Sequence, residues 1–160
     1  MKEDRPVSRM LAVKTGLVSA LVVALVLFAF PLAAQTERQP GLDYWNQINK
    51  TEHVTDSGLK YKIQIKGTGK KPGARSSVTA HYRGMLLNGV VFDSSYDSDE
   101  PIKFNLRKVI KGWTEGLQLM NEGSVFVFLI PPELAYGEKG SGEIPPNATL
   151  IFEVELYDVK

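Results

Sequence analysis

From residue 59 onward apolar and polar positions alternate in short runs, the period of half-buried strands. Leu59, Tyr61, Ile63 and Ile65 alternate with Lys60, Lys62, Gln64 and Lys66, which predicts a strand with one apolar and one basic face. Lys60, Lys62 and Lys66 are expected in solvent. Residues 77–83 predict the next strand, with Val78, Ala80 and Tyr82 on one face. Asn88-Gly89 lies between apolar runs and predicts a tight hairpin, since both residues tolerate positive φ. Residues 90–92 resume the sheet, residues 124–130 are almost continuously apolar, and residues 149–159 mostly alternate. One helix interrupts the strands. Over residues 113–121, Trp113, Leu117 and Met120 recur at helical spacing, and Gly123 ends the run. One short helix against a mainly antiparallel sheet is an α+β arrangement.

The N-terminal third has a different texture. Lys2, Arg5, Arg9 and Lys14 precede an apolar stretch at residues 17–30, then Pro31-Leu32-Ala33-Ala34 and a polar Gln35. A basic head, an apolar middle and small residues describe a secretory signal. Residues 16–34 also approach the roughly 20 residues that span a bilayer, so a retained anchor is the alternative, with a buried apolar helix as the third reading. Both leading readings keep the basic head cytoplasmic and carry the remainder across the membrane, periplasmic or anchored facing outward. Membrane contact is then confined to residues 15–34. Residues 35–56 predict a linker around Pro40-Gly41. A short helix from Asp43, carrying Tyr44, Trp45 and Ile48, is conceivable there, but a peptide packed loosely on the domain is the expectation. The domain proper is expected at residues 57–160.

Composition narrows the chemistry. The 160-residue chain has 23% charged and 43% hydrophobic residues, as an ordered globular protein does. Its formal net charge is +1, and residues 1–34 contribute +2 of it, leaving the rest near neutral. No basic face for nucleic acid emerges. Cysteine is absent, which removes disulfides, thiolate metal sites and a Cys nucleophile. His53 and His81 stand in no metal-ligand motif, and no cofactor is expected. His81 should point away from Tyr82 and carry no role.

Five short motifs remain: His81-Tyr82-Arg83-Gly84, Phe92-Asp93-Ser94-Ser95, Val109-Ile110-Lys111-Gly112-Trp113, Ala135-Tyr136-Gly137 and Ile144-Pro145-Pro146, followed by Phe152. They supply aromatic rings and no nucleophile. In order and interval they resemble the FKBP family of peptidyl-prolyl cis–trans isomerases, closest to its bacterial exported members, over roughly residues 57–160. That resemblance implies a curved antiparallel sheet wrapped over one short helix, here preceded by the N-terminal apolar helix.

It also implies a pocket for proline-containing polypeptides, with a macrolide as a second class of ligand. Trp113 would floor the pocket under the proline ring, with Tyr82, Phe92 and Phe152 as walls. Val109 and Ile110 would border it, the Ile110 N–H would donate a hydrogen bond, and Tyr136 would direct its hydroxyl at a substrate carbonyl. Asp93 would be the one charged residue there, and Ile144 would close the opposite side. Ile102 stands where small eukaryotic members usually carry a pocket aromatic, which predicts a thinner wall. Phe126 and Phe128, on alternate strand positions, are read as core. The implied function is isomerisation of Xaa-Pro bonds during folding of exported proteins, with non-catalytic holding of proline segments as the alternative.

Overall fold

A computed structural model describes residues 40–48, 52–98 and 100–160. The predicted N-terminal apolar helix lies outside the described residues. The chain builds helix α1 (Pro40–Ile48), then strands β1 (His53–Val54), β2 (Lys60–Ile65), β3 (Ser77–Leu86), β4 (Val91–Ser94) and β5 (Ile102–Asn105). Helix α2 (Lys111–Leu117) and strands β6 (Val125–Ile130) and β7 (Leu150–Val159) complete it. All seven strands join one antiparallel sheet in the order β1-β2-β6-β7-β3-β4, with β5 also on β3. Register shifts within β2, β3 and the β3–β4 pair add the local bends that curve such a sheet.

The alternation predicted for the strands sorts side chains onto two faces. Tyr82, Phe126, Phe128, Phe152 and Val154 share the inner face with α2, and Phe126 and Phe128 are core as expected. Helix α2 sits unusually close to the sheet because two of its residues lack a side chain. A Cβ on Gly112 would stand 2.5 Å from Ile130, and one on Gly116 would stand 2.7 Å from Phe128. The helix is also shorter than the predicted 113–121. After Leu117 the amides of Gln118, Leu119 and Met120 bond three residues back rather than four, which tightens the chain while keeping Met120 buried.

The outer face departs from expectation. α1 lies on it, beginning at Pro40 rather than at Asp43, and buries Trp45 at 3% exposure among Met85, Val127 and Ile151. Residues 40–48 are therefore a docked second helix, not a loose peptide, because an indole of this size releases water when it covers the apolar stripe on β3, β6 and β7. The same helix captures a lysine expected in solvent. Lys62 is 3% exposed, donates its amine to the Trp45 carbonyl, and lies 4.6 Å from the centre of that ring. Burial pulls its ammonium pKa below the usual lysine value, opposed by nearby Glu52. The tight hairpin predicted at Asn88-Gly89 is present before β4, with one further residue in its loop and positive φ at Gly89 only. The Gly89 amide bonds back to Leu86 O, Leu86 N–H bonds to Val90 O, and Gly89 alone takes a positive φ, of 84°. The loop is thus Leu87-Asn88-Gly89, and Asn88 instead accepts from the Val90 amide with its side chain.

Candidate functional site

Trp113, the third residue of α2, meets the sheet where β3 and β7 carry aromatic residues on the inner face. Its indole is ringed by Tyr82 at 5.1 Å, Phe104 at 5.1 Å and Phe152 at 5.3 Å between centroids, with interplanar angles of 87°, 72° and 85°. Edge-to-face contacts of this kind set a ring's positive rim on its neighbour's negative face. Four stiff rings therefore fix one another. The Trp113 indole Nε1 is buried without a hydrogen-bond partner. An unmade bond of this kind costs about 1–3 kcal/mol.

Tyr82 is held at both ends by the Phe92-Asp93-Ser94-Ser95 motif. Its hydroxyl donates to Asp93 Oδ2 at 2.8 Å. Its backbone lies in a gap along β3, where β5 pairs the residues before it and β4 those after it. Ser95 fills that gap: its Oγ accepts from the Tyr82 amide at 2.8 Å, and its own amide donates to Tyr82 O at 3.0 Å. Ser95 is fully buried. The strand's missing partner is replaced by one residue, side chain for the amide and backbone for the carbonyl, so neither backbone group is orphaned. Asp93 and Ser95 thus both brace Tyr82.

A cavity of about 440 Å³ opens above the indole. Seven residues expected at the site line it: Tyr82, Asp93, Val109, Ile110, Trp113, Tyr136 and Phe152. Phe92 and Ile144 do not. They line an adjoining hollow of about 250 Å³ that shares Asp93 and Tyr136 with the first. Two lining residues escaped the sequence reading, Phe104 and Lys108. Phe104, two positions on from Ile102 along β5, adds a ring that faces Tyr82 and Trp113, while Ile102 is 38% exposed and does not line the cavity. His81 is not simply solvated. Its Nδ1 lies 2.8 Å from Ser95 Oγ, and its ring stacks on Tyr96 at 4.6 Å.

Polar groups at the cavity are few and mostly committed. Burial pushes the Tyr82 phenol above its ordinary pKa, and the hydrogen bond and charge of Asp93 push the same way. Burial, then Asp93, raises the Tyr136 phenol too. Both hydroxyls stay protonated donors at neutral pH. Tyr82 spends its proton on Asp93, whereas Tyr136, 38% exposed, keeps its hydroxyl for a ligand. Ile110 precedes α2, and its amide donates to no backbone or side-chain acceptor among the described residues. Among those residues no cluster of His, Asp and Glu is placed to hold a metal. The arrangement is a largely apolar hollow with the Tyr136 hydroxyl, the Ile110 amide and the Lys108 ammonium as free donors at its edge, suited to gripping a polypeptide segment.

Comparison with known proteins agrees with this geometry. The profile of the FKBP-type peptidyl-prolyl cis-trans isomerase family matches residues 68–157. The FKBP-type peptidyl-prolyl cis-trans isomerase FkpA of Aeromonas hydrophila is 49% identical over 129 residues, which is 79% of this chain and 48% of that protein. The chain therefore spans about half the length of such curated relatives. The crystal structure of FkpA from Escherichia coli superposes with a TM-score of 0.69 at 43% identity, covering 76% of this chain and 58% of that one. The peptidyl-prolyl cis-trans isomerase structure from Pseudomonas syringae pv. tomato gives 0.67 at 34% identity, covering 76% and 90%. With this family's profile matching residues 68–157 and relatives at 43–49% identity, the chain belongs to the FKBP-type peptidyl-prolyl cis-trans isomerase family.

Proposed function

We propose that this chain catalyses cis–trans isomerisation of Xaa-Pro bonds in exported polypeptides, with residues 57–160 as the isomerase domain and residues 1–34 as signal or anchor. Rotation about an amide meets a barrier of about 18–20 kcal/mol, because resonance gives the C–N bond double-bond character. The planar amide carries separated charge, which water stabilises. Twisting removes part of that charge, so an apolar hollow favours the twisted form. Rate follows from holding the twisted bond more tightly than the planar one.

The observation that carries this reading is the ring cage of Tyr82, Phe104, Trp113 and Phe152 under the 440 Å³ cavity. In the proposed complex the proline ring rests on Trp113, between Tyr82 and Phe152. Val109 borders it, and the Ile110 amide and Tyr136 hydroxyl bond substrate carbonyls. Phe92 and Ile144 contact the residue that leaves toward the second hollow, beside Asp93. A macrolide that fits the same cage should compete with peptide.

The test is exchange of a Xaa-Pro peptide by the full chain in a non-ionic detergent. Acceleration well above the blank is expected, with Tyr136→Phe and Asp93→Ala slower by about three- to thirtyfold, the range for one or two lost polar contacts. A rate equal to the blank overturns the proposal. Holding without turnover is the weaker reading. The rim loop at residues 138–143 and the aromatics Tyr44 and Trp45 would serve it, but Trp45 is buried between α1 and the sheet and is not presented to a client.

A further inference from the structure

The aromatic cavity is the middle of three. On one side it shares Val109 with a hollow of about 510 Å³ along α2, and on the other it shares Asp93 and Tyr136 with the 250 Å³ hollow. An extended chain advances about 3.3 Å per residue, so residues immediately flanking the proline can reach the adjoining hollows. Charge is distributed unevenly along this line. Arg107 and Lys111 line the α2 hollow, and Lys108 lines the aromatic cavity. All three are exposed, and among the described residues none is ion-paired. The one carboxylate at that end, Glu115, holds its two oxygens 2.9 Å and 2.7 Å from the Ser57 hydroxyl, whose single proton is shared between them. At the far end the ionic lining is Asp93 and Glu143. Lys139 belongs to the same loop as Glu143 but lines none of the three hollows.

We propose that this cleft selects prolyl segments by flanking charge: a carboxylate within two residues of the proline, on the Val109 side, is drawn to Lys108, Arg107 and Lys111 and raises kcat/KM. A cation in that position meets like charge and is turned over less well. The substrate class is thus acidic-flanked prolyl polypeptide, oriented with any basic flank toward Glu143. This inference rests on the isomerase reading. Clefts with an excess of one sign of charge, here three cations against Glu115 at the Val109 end, concentrate oppositely charged ligands, and the effect fades with salt. Lys108 is the specificity-determining residue because it alone of the three cations lies on the cavity that takes the proline.

The experiment uses the full chain in non-ionic detergent and peptides that differ only by Glu, Gln or Lys at a flanking position, on each side of Xaa-Pro in turn. At about 20 mM salt one flank should prefer Glu over Lys by about fivefold to tenfold in kcat/KM, the size expected of exposed charge pairs. That ratio should shrink toward one at about 0.5 M salt. Lys108→Glu should lower the ratio by at least about fivefold, and Arg107→Gln with Lys111→Gln by about twofold to threefold. Ratios are taken within each variant, so a loss common to all peptides cancels. A Gln peptide exchanged no faster than the blank refutes the isomerase reading itself. An accelerated Gln peptide with a flat Glu-to-Lys ratio at both flanks, or a ratio that Lys108→Glu leaves unmoved, refutes charge selection alone.

Discussion

Gly84 closes the His-Tyr-Arg-Gly motif and lies directly beneath the wall of the cavity. It pairs with Phe152 on β7 and with Asp93 on β4, and it is buried. A Cβ placed there would stand 2.7 Å from Phe152 Cε1 and 2.8 Å and 2.9 Å from two atoms of the Phe92 ring. Carbon atoms rest at about 3.5–4.0 Å, so Gly84→Ala forces about 1 Å of movement on one or both rings. Phe152 is braced by Trp113 at 5.3 Å and Tyr82 at 6.3 Å, whereas Phe92 is half-buried. Phe92 should give way first. Overpacking of this kind costs about 1–3 kcal/mol, and the stiffer unfolded chain returns about 0.4–1 kcal/mol, for a net loss of about 0.5–2 kcal/mol. The functional loss should be larger in proportion. A 1 Å error in a binding wall costs up to about a hundredfold in rate, and we expect about tenfold in kcat/KM for Xaa-Pro exchange. Gly73→Ala is the control, since nothing lies within 4 Å of its Cβ position; it should change stability by at most about 0.5 kcal/mol. Denaturant melts and peptide exchange on the three proteins decide the matter. A Gly84→Ala protein matching the parent in both would show that the contacts do not shape the wall.

Three further perturbations follow from the same packing. Ser95→Ala leaves the buried Tyr82 amide without its side-chain acceptor and should cost about 1–3 kcal/mol in a denaturant melt; a loss below about 0.5 kcal/mol would mean another acceptor takes over. Trp45→Ala empties the site between α1 and the outer face, and should cost about 3–5 kcal/mol with little change in exchange rate at a temperature where the fold persists. The Tyr82 phenol keeps its proton in the folded state above pH 10, where the unfolded chain would release it, so alkali favours unfolding. Between pH 9 and pH 11 the stability advantage of the parent over Tyr82→Phe should shrink by about 1.4 kcal/mol, and a constant difference would contradict the raised pKa.

What could be read from the sequence and what could not divide along physical lines. Strands β2, β3, β6 and β7 were legible because a half-buried sheet imposes period two, and Tyr82 and Phe152 fell on the correct face for that reason. β5 was not. Four residues give too short a run, two of them are exposed, and Phe104, which faces the indole, belongs to none of the five motifs. Lys62 was misplaced because alternation tells which face a residue occupies, not what covers that face. Only α1 makes the outer side dry at Lys62, and a nine-residue helix with one anchoring indole gives weak sequence signal. The aromatic motifs carried the cavity itself, yet Phe92 and Ile144 proved to line its neighbour, since motif order carries no information about where one hollow ends. Lys108 was overlooked because a lysine beside Val-Ile is unremarkable until the wall it stands on is known.

Gly41 packs against the carbonyls of Leu86 and Leu87, and Trp45 is sunk into the middle strands from the side away from the ring cage. Helix α1 and the ring cage thus use opposite faces of one sheet. Substitutions that loosen α1 can be made without touching a residue that lines the mouth over Trp113.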